Sequence, residues 1–423
     1  MWKTIIFAMW LSLPALALNN VKKYTNLVTN GNLTLWGQHI DDNDAEAVAE
    51  VVEKCTSLKD LVLCDNQIRS RGAAFLARAI MHHPSLDSLY LSDNRLGPEG
   101  AQTLASAFIT NASITVLCAS FNRIGPEGAR ALADAVAQNQ TLATLMLTGN
   151  AIGNAGAQSI GSALETNRTL TTLHLGDNKI SHQGMAALCN SLKTNSSLRH
   201  LTLDLNLMDS SGAMIMADAL KTNSALQNLS LNFNLIGSKG ITAIAEALAF
   251  NQTLTTLFVM ENGITCDGAL SVAAALMTNS SLTTLALSNN KIGKRGAQAL
   301  ARSLSHNKTL KHFYFAGTQM GEQSAPYFIE ALLENFALEA IKFAQNGFVS
   351  DRVRFIMRIE TRNKTRAYYD RFILEILCCV GSTLPLELIA KIVDDYYIRV
   401  FLISPSGAST IDSRQLTEKN SSE

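Results

Sequence analysis

Leu89-Tyr90-Leu91-Ser92-Asp93-Asn94-Arg95-Leu96 alternates apolar and variable residues, so its side chains divide between a buried and an open face as those of a short strand do. The residues that follow change period. Ala101, Leu104, Ala105 and Phe108 recur at helical spacing behind Pro98, which suits a first helical turn, and Asn111 suits a helix end. Ile114 then leads into another strand, so the segment reads as strand, turn, helix and turn, closing a right-handed coil. Pro126, Asn139 and Leu142 mark the same points in the next stretch.

The pattern repeats every 28 residues in both directions, at Leu33, Leu61, Leu89, Leu117, Leu145, Leu173, Leu201, Leu229, Leu257, Leu285, Phe313 and Ile341. A fixed period of this length is the mark of a solenoid, whose units hide their apolar faces by stacking on one another. The expected fold is α/β, a leucine-rich-repeat horseshoe solenoid of twelve 28-residue strand-helix units at 33–348, with a parallel concave sheet and outer helices. Residues 18–32 are expected to form an N-terminal cap, 349–403 a C-terminal helical cap and 404–423 a disordered polar tail.

The unit resembles the ribonuclease-inhibitor type of leucine-rich repeat, of form LxxLxLxxNxL followed by a Gly-Ala helix start, over roughly residues 33–348. It is similar also to the repeats of NOD-like receptors and of some bacterial effectors. That resemblance implies a fold more than an activity, because such repeats serve inhibitors, sensors, GTPase activators and adaptors. Two departures set the chain apart from ribonuclease inhibitor itself. Asparagine rather than cysteine fills most of the polar ladder position, and the period does not alternate in length, so inhibition of ribonucleases is not implied.

Many polar residues here have structural roles. Asparagine stands three places after the strand's second leucine in ten of the twelve units, where an amide can satisfy backbone groups as the chain bends inward. Gly72, Gly100, Gly128 and their counterparts through Gly296 lack the phosphate-loop context GxxxxGK[ST] and fit close backbone packing. Asn-x-Ser/Thr recurs at Asn111, Asn139, Asn167, Asn195, Asn251, Asn279 and Asn307, a glycan signal that duplication of a helix-ending asparagine explains without any glycan.

Catalytic signatures are thin, and no enzyme, cofactor, metal or small-molecule substrate is expected. The eight histidines show no HExxH spacing and no CxxC pair occurs; His82-His83, before Pro84, reads as solvated. Cys378-Cys379 resembles the nucleophile of cysteine-dependent ubiquitin ligases with such repeats, but those have a large catalytic domain after the repeats, whereas 75 residues follow Phe348 here, so catalysis at this pair is not expected. The seven cysteines follow no disulfide framework, and Cys64 and Cys118 lie two units apart, about 10 Å, beyond the roughly 7 Å a bridge tolerates.

Lys plus Arg equals Asp plus Glu at 35 each, so total charge points to neither nucleic acid nor an anionic membrane. Residues 1–17, with Lys3, the apolar run Ile5 to Leu13 and Ala15-Leu16-Ala17, resemble a secretory signal peptide too short to span a bilayer; an apolar cap is the competing reading. Export or secretion is therefore expected, without a membrane span in the mature chain.

If the leucines face the core, the residue after each faces the concave surface, joined by those just before the ladder asparagine. These positions hold five acids, Asp65, Asp93, Asp177, Asp204 and Glu261, against one base, Lys342. Large groups are interspersed: Trp36, Tyr90 and Phe121 on the first four strands, and His174, Leu205, Phe233, Phe258 and Met260 on the sixth to ninth. Rings beside charges are what an interface hot spot needs, although such residues can also simply tile a strand surface. Arg95, Arg123, Lys179 and Lys291, one place past the asparagine, partly offset the acids along the rim.

Past Val349 the register gives way to an expected helical stretch, Asp351 to Val380, with seven bases. Leu384-Pro385-Leu386-Glu387-Leu388-Ile389 resembles the opening helix of an F-box. The function these readings favour is a monomeric protein-binding scaffold, a bacterial exported or effector protein whose acidic-aromatic face takes a host protein with a basic or apolar patch. A GTPase regulator of this repeat type and an F-box-like ubiquitin-ligase adaptor are the alternatives.

Overall fold

The computed structural model describes residues 21–335, 337–343, 346 and 358–359. Its strands form one sheet in strict sequence order, beginning β1 (Asn32–Thr34), β2 (Asp60–Val62), β3 (Ser88–Tyr90) and reaching β12 (Ala340–Lys342) with every pairing parallel. Adjacent strands pair at an offset of one period, Leu33 opposite Leu61 and Leu61 opposite Leu89, so the sequence register is the sheet register. Between consecutive strands runs a helix, as in Gly97–Thr110 and Gly125–Gln138, each with a proline in its first turn. We number the units 1 to 12 by their register residues, Leu33 to Ile341.

Apolar burial builds the stack. No register residue from Leu33 to Ile341 is more than 2% exposed, and each leucine so buried contributes about 1.5–3 kcal/mol. Helices pack at close range because a glycine recurs in the first turn of each from Ser70–Ile80 to Gly293–His306. A Cβ on Gly128 would lie 2.6 Å from Ile124 Cγ2 and 2.9 Å from the Ala101 Cβ of the preceding helix.

Two asparagine ladders run the length of the stack. Asn150 Nδ2 donates to the carbonyls of Ala119 at 2.9 Å and Leu147 at 3.0 Å, while its Oδ1 accepts from Asn122 N–H at 2.8 Å and Ile124 N–H at 3.3 Å. One amide thus joins two consecutive units, and the Asn150 N–H, donating to Asn178 Oδ1 at 3.0 Å, reaches the third. Where threonine replaces asparagine, Thr318 Oγ1 donates to Asn346 Oδ1 at 2.8 Å, keeping the ladder closed with fewer bonds. The second ladder lies at the helix ends and includes Asn111, Asn139 and Asn167, all buried.

His83 departs from its expected solvated state. It sits 28 residues before Asn111, at the helix-end position, and is buried. Its Nε2 donates to the Cys55 carbonyl at 3.1 Å, and its Nδ1 accepts from the N–H groups of Ser85 and Leu86 at 3.3 and 2.9 Å. An imidazole offers a donor and an acceptor on opposite sides of a ring, and so substitutes for the amide.

Ahead of unit 1, residues 21–25 are helical, and buried Tyr24 donates its hydroxyl to Asp44 Oδ1 at 3.0 Å. Burial, with Asp44 beside it, pushes the Tyr24 phenol well above its ordinary pKa. At the other end the expected helix Asp351 to Val380 needs correction. Arg358 and Ile359 form a strand, β13 (Arg358–Ile359), antiparallel to β12 with Ile341 opposite Ile359. The last parallel strand otherwise presents an unpaired edge, which an antiparallel segment can satisfy. The rest of that stretch, the signal-like residues 1–17, Cys378-Cys379, the F-box-like Leu384 to Ile389 and the polar tail lie outside the described residues.

Candidate functional site

The open face of the sheet is built from strand residues whose neighbours in sequence are buried. Parallel register stacks them in columns, Tyr90 opposite Cys118, His174 opposite Thr202 and Ser230 opposite Phe258. All thirteen residues singled out in the sequence stand on this face or in the turn that leaves it. Trp36, Asp65, Asp93, Phe121, Asp177, Leu205, Phe233 and Glu261 are exposed; Tyr90, His174, Asp204, Phe258 and Met260 are half-buried. They fall into two groups, units 1–4 and 6–9, separated by unit 5, whose corresponding residues are Met146, Thr148 and Gly149.

The position before the ladder asparagine has an unusual backbone. It is left-handed in unit after unit, with φ of +64° at Gly37, +56° at Asp65, +57° at Asp93, +70° at Gly149 and +51° at Asp177. Glycine, aspartate and asparagine tolerate that region; bulkier side chains pay about 1–2 kcal/mol there. Yet Phe121, Leu205 and Phe233 each stand at +56° and Glu261 at +53°. The Phe121 ring covers the neighbouring glycine, so a Cβ added at Gly149 would collide with it.

Two further residues extend the apolar surface, and sequence reasoning missed them. Leu207 and Leu235 occupy the place one past the ladder asparagine, where other units carry Arg95, Arg123, Lys179 and Lys291. Leu205, Leu207, Phe233 and Leu235 are 56%, 51%, 47% and 67% exposed. They stand on adjacent units, about 4.8 Å apart across parallel strands, and form one patch at the strand ends. Exposed Asp177 and Glu261 stand on the units either side of it, and neither forms an ion pair among the described residues. The sequence signal was available: aligning the repeats puts two leucines in a column otherwise polar or small.

Other polar residues of the face are already engaged. Asp204 Oδ1 accepts from Ser230 Oγ at 2.6 Å and from Asn232 N–H at 2.8 Å, so this carboxylate fastens units 7 and 8 together. His174 has its pKa lowered, first by burial and also by nearby His200, with Asp204 opposing. His200 belongs to a column just before the register leucine, with Asp60, Ser88 and Asn228, which sequence reasoning did not include although alternation places it on the same face.

The described cysteines are free thiols. Between Cys64 and Cys118 stands Ser92, its Oγ 3.0 Å from Cys118 Sγ, and burial pushes the Cys64 thiol up. Cys189, fully buried, is pushed up to about 12. Among the described residues no group of three or more His, Cys, Asp or Glu is placed to hold a metal ion, and no helix is long and apolar enough to cross a membrane.

The family described as "Leucine Rich repeat" matches residues 54–77, 82–105, 110–133, 138–161, 166–189 and 278–301. No curated protein sequence matches the chain. Among solved structures, "Leiomodin-1 Actin-Binding Site 2 (ABS2)" is similar at 18% identity and a TM-score of 0.31, covering 45% of this chain and 94% of that one. The tropomodulin C-terminal domain of Caenorhabditis elegans is similar at 16% identity and a TM-score of 0.30, covering 46% of this chain and 96% of that one.

Proposed function

This chain is a leucine-rich-repeat protein of the ribonuclease-inhibitor type, a protein-binding scaffold, and from that premise we propose that it captures its partner on the patch at units 6–9. The partner we infer is a protein segment that presents apolar side chains flanked by bases. Leu205, Leu207, Phe233 and Leu235 would take the apolar groups, and Asp177 and Glu261 the bases. Export, read from residues 1–17, is proposed with it.

One observation carries this reading: Leu205 and Phe233 hold large apolar side chains in water on a backbone that favours glycine. A residue there gains nothing for the stack that asparagine or glycine would not supply at lower strain. Local strain combined with solvent-exposed apolar area is typical of places that bind. Aromatic and aliphatic anchors supply buried area, while bracketing charges supply orientation and partner choice.

The test uses short synthetic peptides with a Leu and Phe core flanked by Lys, and matched peptides flanked by Glu, titrated by fluorescence anisotropy. The Lys-flanked peptide should bind, weaken about tenfold with Asp177→Lys plus Glu261→Lys, and lose binding with Leu205→Asn plus Phe233→Asn. The charge-reversed protein should in turn prefer the Glu-flanked peptide. Equal binding of both peptides to the native protein would refute the assignment of partner charge, and binding indifferent to Leu205 and Phe233 would refute the patch.

A further inference from the structure

The Asn-x-Ser/Thr sites at the helix ends are closed, in the folded protein, to the modification their sequence invites. Asn167 shows the geometry. Its Nδ2 donates to the carbonyls of Val136 at 2.7 Å and Asn139 at 3.3 Å, and its Oδ1 accepts from the N–H groups of Thr169 at 3.0 Å and Leu170 at 2.8 Å. Asn139, Asn195, Asn251, Asn279 and Asn307 make the same two donations to the preceding unit. Asn111 makes the first of them, to the Ile80 carbonyl at 2.7 Å. None of the seven side chains is more than 4% exposed.

N-glycosylation acts on that same nitrogen. Transfer from a lipid pyrophosphate carrier forms a bond between sugar C1 and Nδ2, breaks the bond from C1 to the carrier, which leaves as its pyrophosphate, and releases one Nδ2 proton. The product retains a single N–H, so one buried carbonyl loses its donor. The sugar would also have to occupy a contact of hydrogen-bond length between one helix end and the next. A glycan is bulky and belongs on a surface.

We propose that the folded stack and glycans at these seven sites are mutually exclusive, and that the chain therefore completes its fold where no lipid-linked oligosaccharide is transferred to asparagine. This is independent of the partner assigned above. The chain carries its own control. Asn32-Leu33-Thr34 and Asn228-Leu229-Ser230 are sites of the same kind, but Asn32 is exposed and Asn228 half-buried on the open sheet face, where a sugar has solvent to enter.

The experiment routes the full chain into the secretory pathway of yeast and measures glycan occupancy by mass spectrometry, separately in protease-resistant monomer and in aggregate. A second protein carries Thr169→Ala and the corresponding alanines at the third residue of the other six sites, which leaves every asparagine in place. Produced in bacterial cytosol, both proteins are first compared by urea unfolding, so that any effect of the alanines themselves is known. In yeast, occupancy at the seven sites should be confined to aggregate, with loss of folded monomer from the native chain and its recovery in the alanine variant. Folded monomer should carry no sugar at the seven, whereas sugar at Asn32, Asn228 or the further sites Asn363-Lys364-Thr365 and Asn420-Ser421-Ser422 is compatible with the exclusion. A folded monomer glycosylated at any of the seven would overturn the exclusion. Native chain and variant folding equally well in yeast would overturn the constraint on compartment. Should the alanines prove destabilising, site occupancy in the native chain's two fractions decides the matter alone.

Discussion

Beneath the sheet the units are nearly alike, with Thr318 and His83 standing in for asparagine; above it no two neighbours match. The underside is leucine and asparagine at fixed places, each amide bonded to the unit before it, so one error there is felt across two units. The open face tolerates tyrosine, cysteine, methionine and histidine in one column, because each contacts little besides its neighbours. The difference separates the two tasks of the chain. Regularity closes the hydrogen bonds that a coil of buried turns must close, and irregularity is confined to where water, or a partner, is the other surface.

Disturbing the uniform side should have the largest effect. Asn150→Ala strands the Ala119 carbonyl and two N–H groups in the core and should cost about 3 kcal/mol, seen as a fall in the urea midpoint. A loss under about 0.5 kcal/mol would mean that water replaces the amide, and that the ladder is less uniform in energy than in geometry.

On the variable side the sign should reverse. Phe233→Asn keeps a residue able to adopt φ near +56° and removes an exposed ring, so stability should hold or rise by up to about 1 kcal/mol. A clear loss in the same urea titration would show the ring to be part of the fold, and would erase the contrast.

The smallest effect expected is a pH dependence at His174. Its folded pKa is lowered, so the unfolded chain binds the proton more readily. Stability should therefore decline as pH falls below the unfolded value near 6.5, through the lower folded value, and be restored on going back up. His174→Gln should flatten that slope in thermal melts taken between about pH 7 and 5. An unchanged slope would assign the dependence to other groups.

Much of this was legible because repetition is a constraint that shows itself. Twelve apolar residues in register, ten of them leucine, specify the strand, its face and its partner at once, and Pro98, Asn111 and Ile114 mark where a helix starts and stops. Residues that break the repeat were harder to read. His83 looks solvated until it is set 28 residues before Asn111, and then it stands where an amide belongs. Leu207 and Leu235 are masked by the cations that share their column, and the left-handed turn beneath Leu205 and Phe233 is visible only in the backbone. The engagement of Asp204 is hidden from the sequence because its bonds to Ser230 and Asn232 reach into the next unit.

The reach of the ladder amides has one more consequence. Since the Asn150 side chain touches nothing beyond the turn next to it, excising one whole period between asparagine-bearing units remakes at the joint the ladder bonds that it severs. The molecule can thus be shortened or extended in steps of 28 residues like a string of identical beads. Through such steps, inheritance can vary the distance between Phe121 and Phe233 without reinventing either of them.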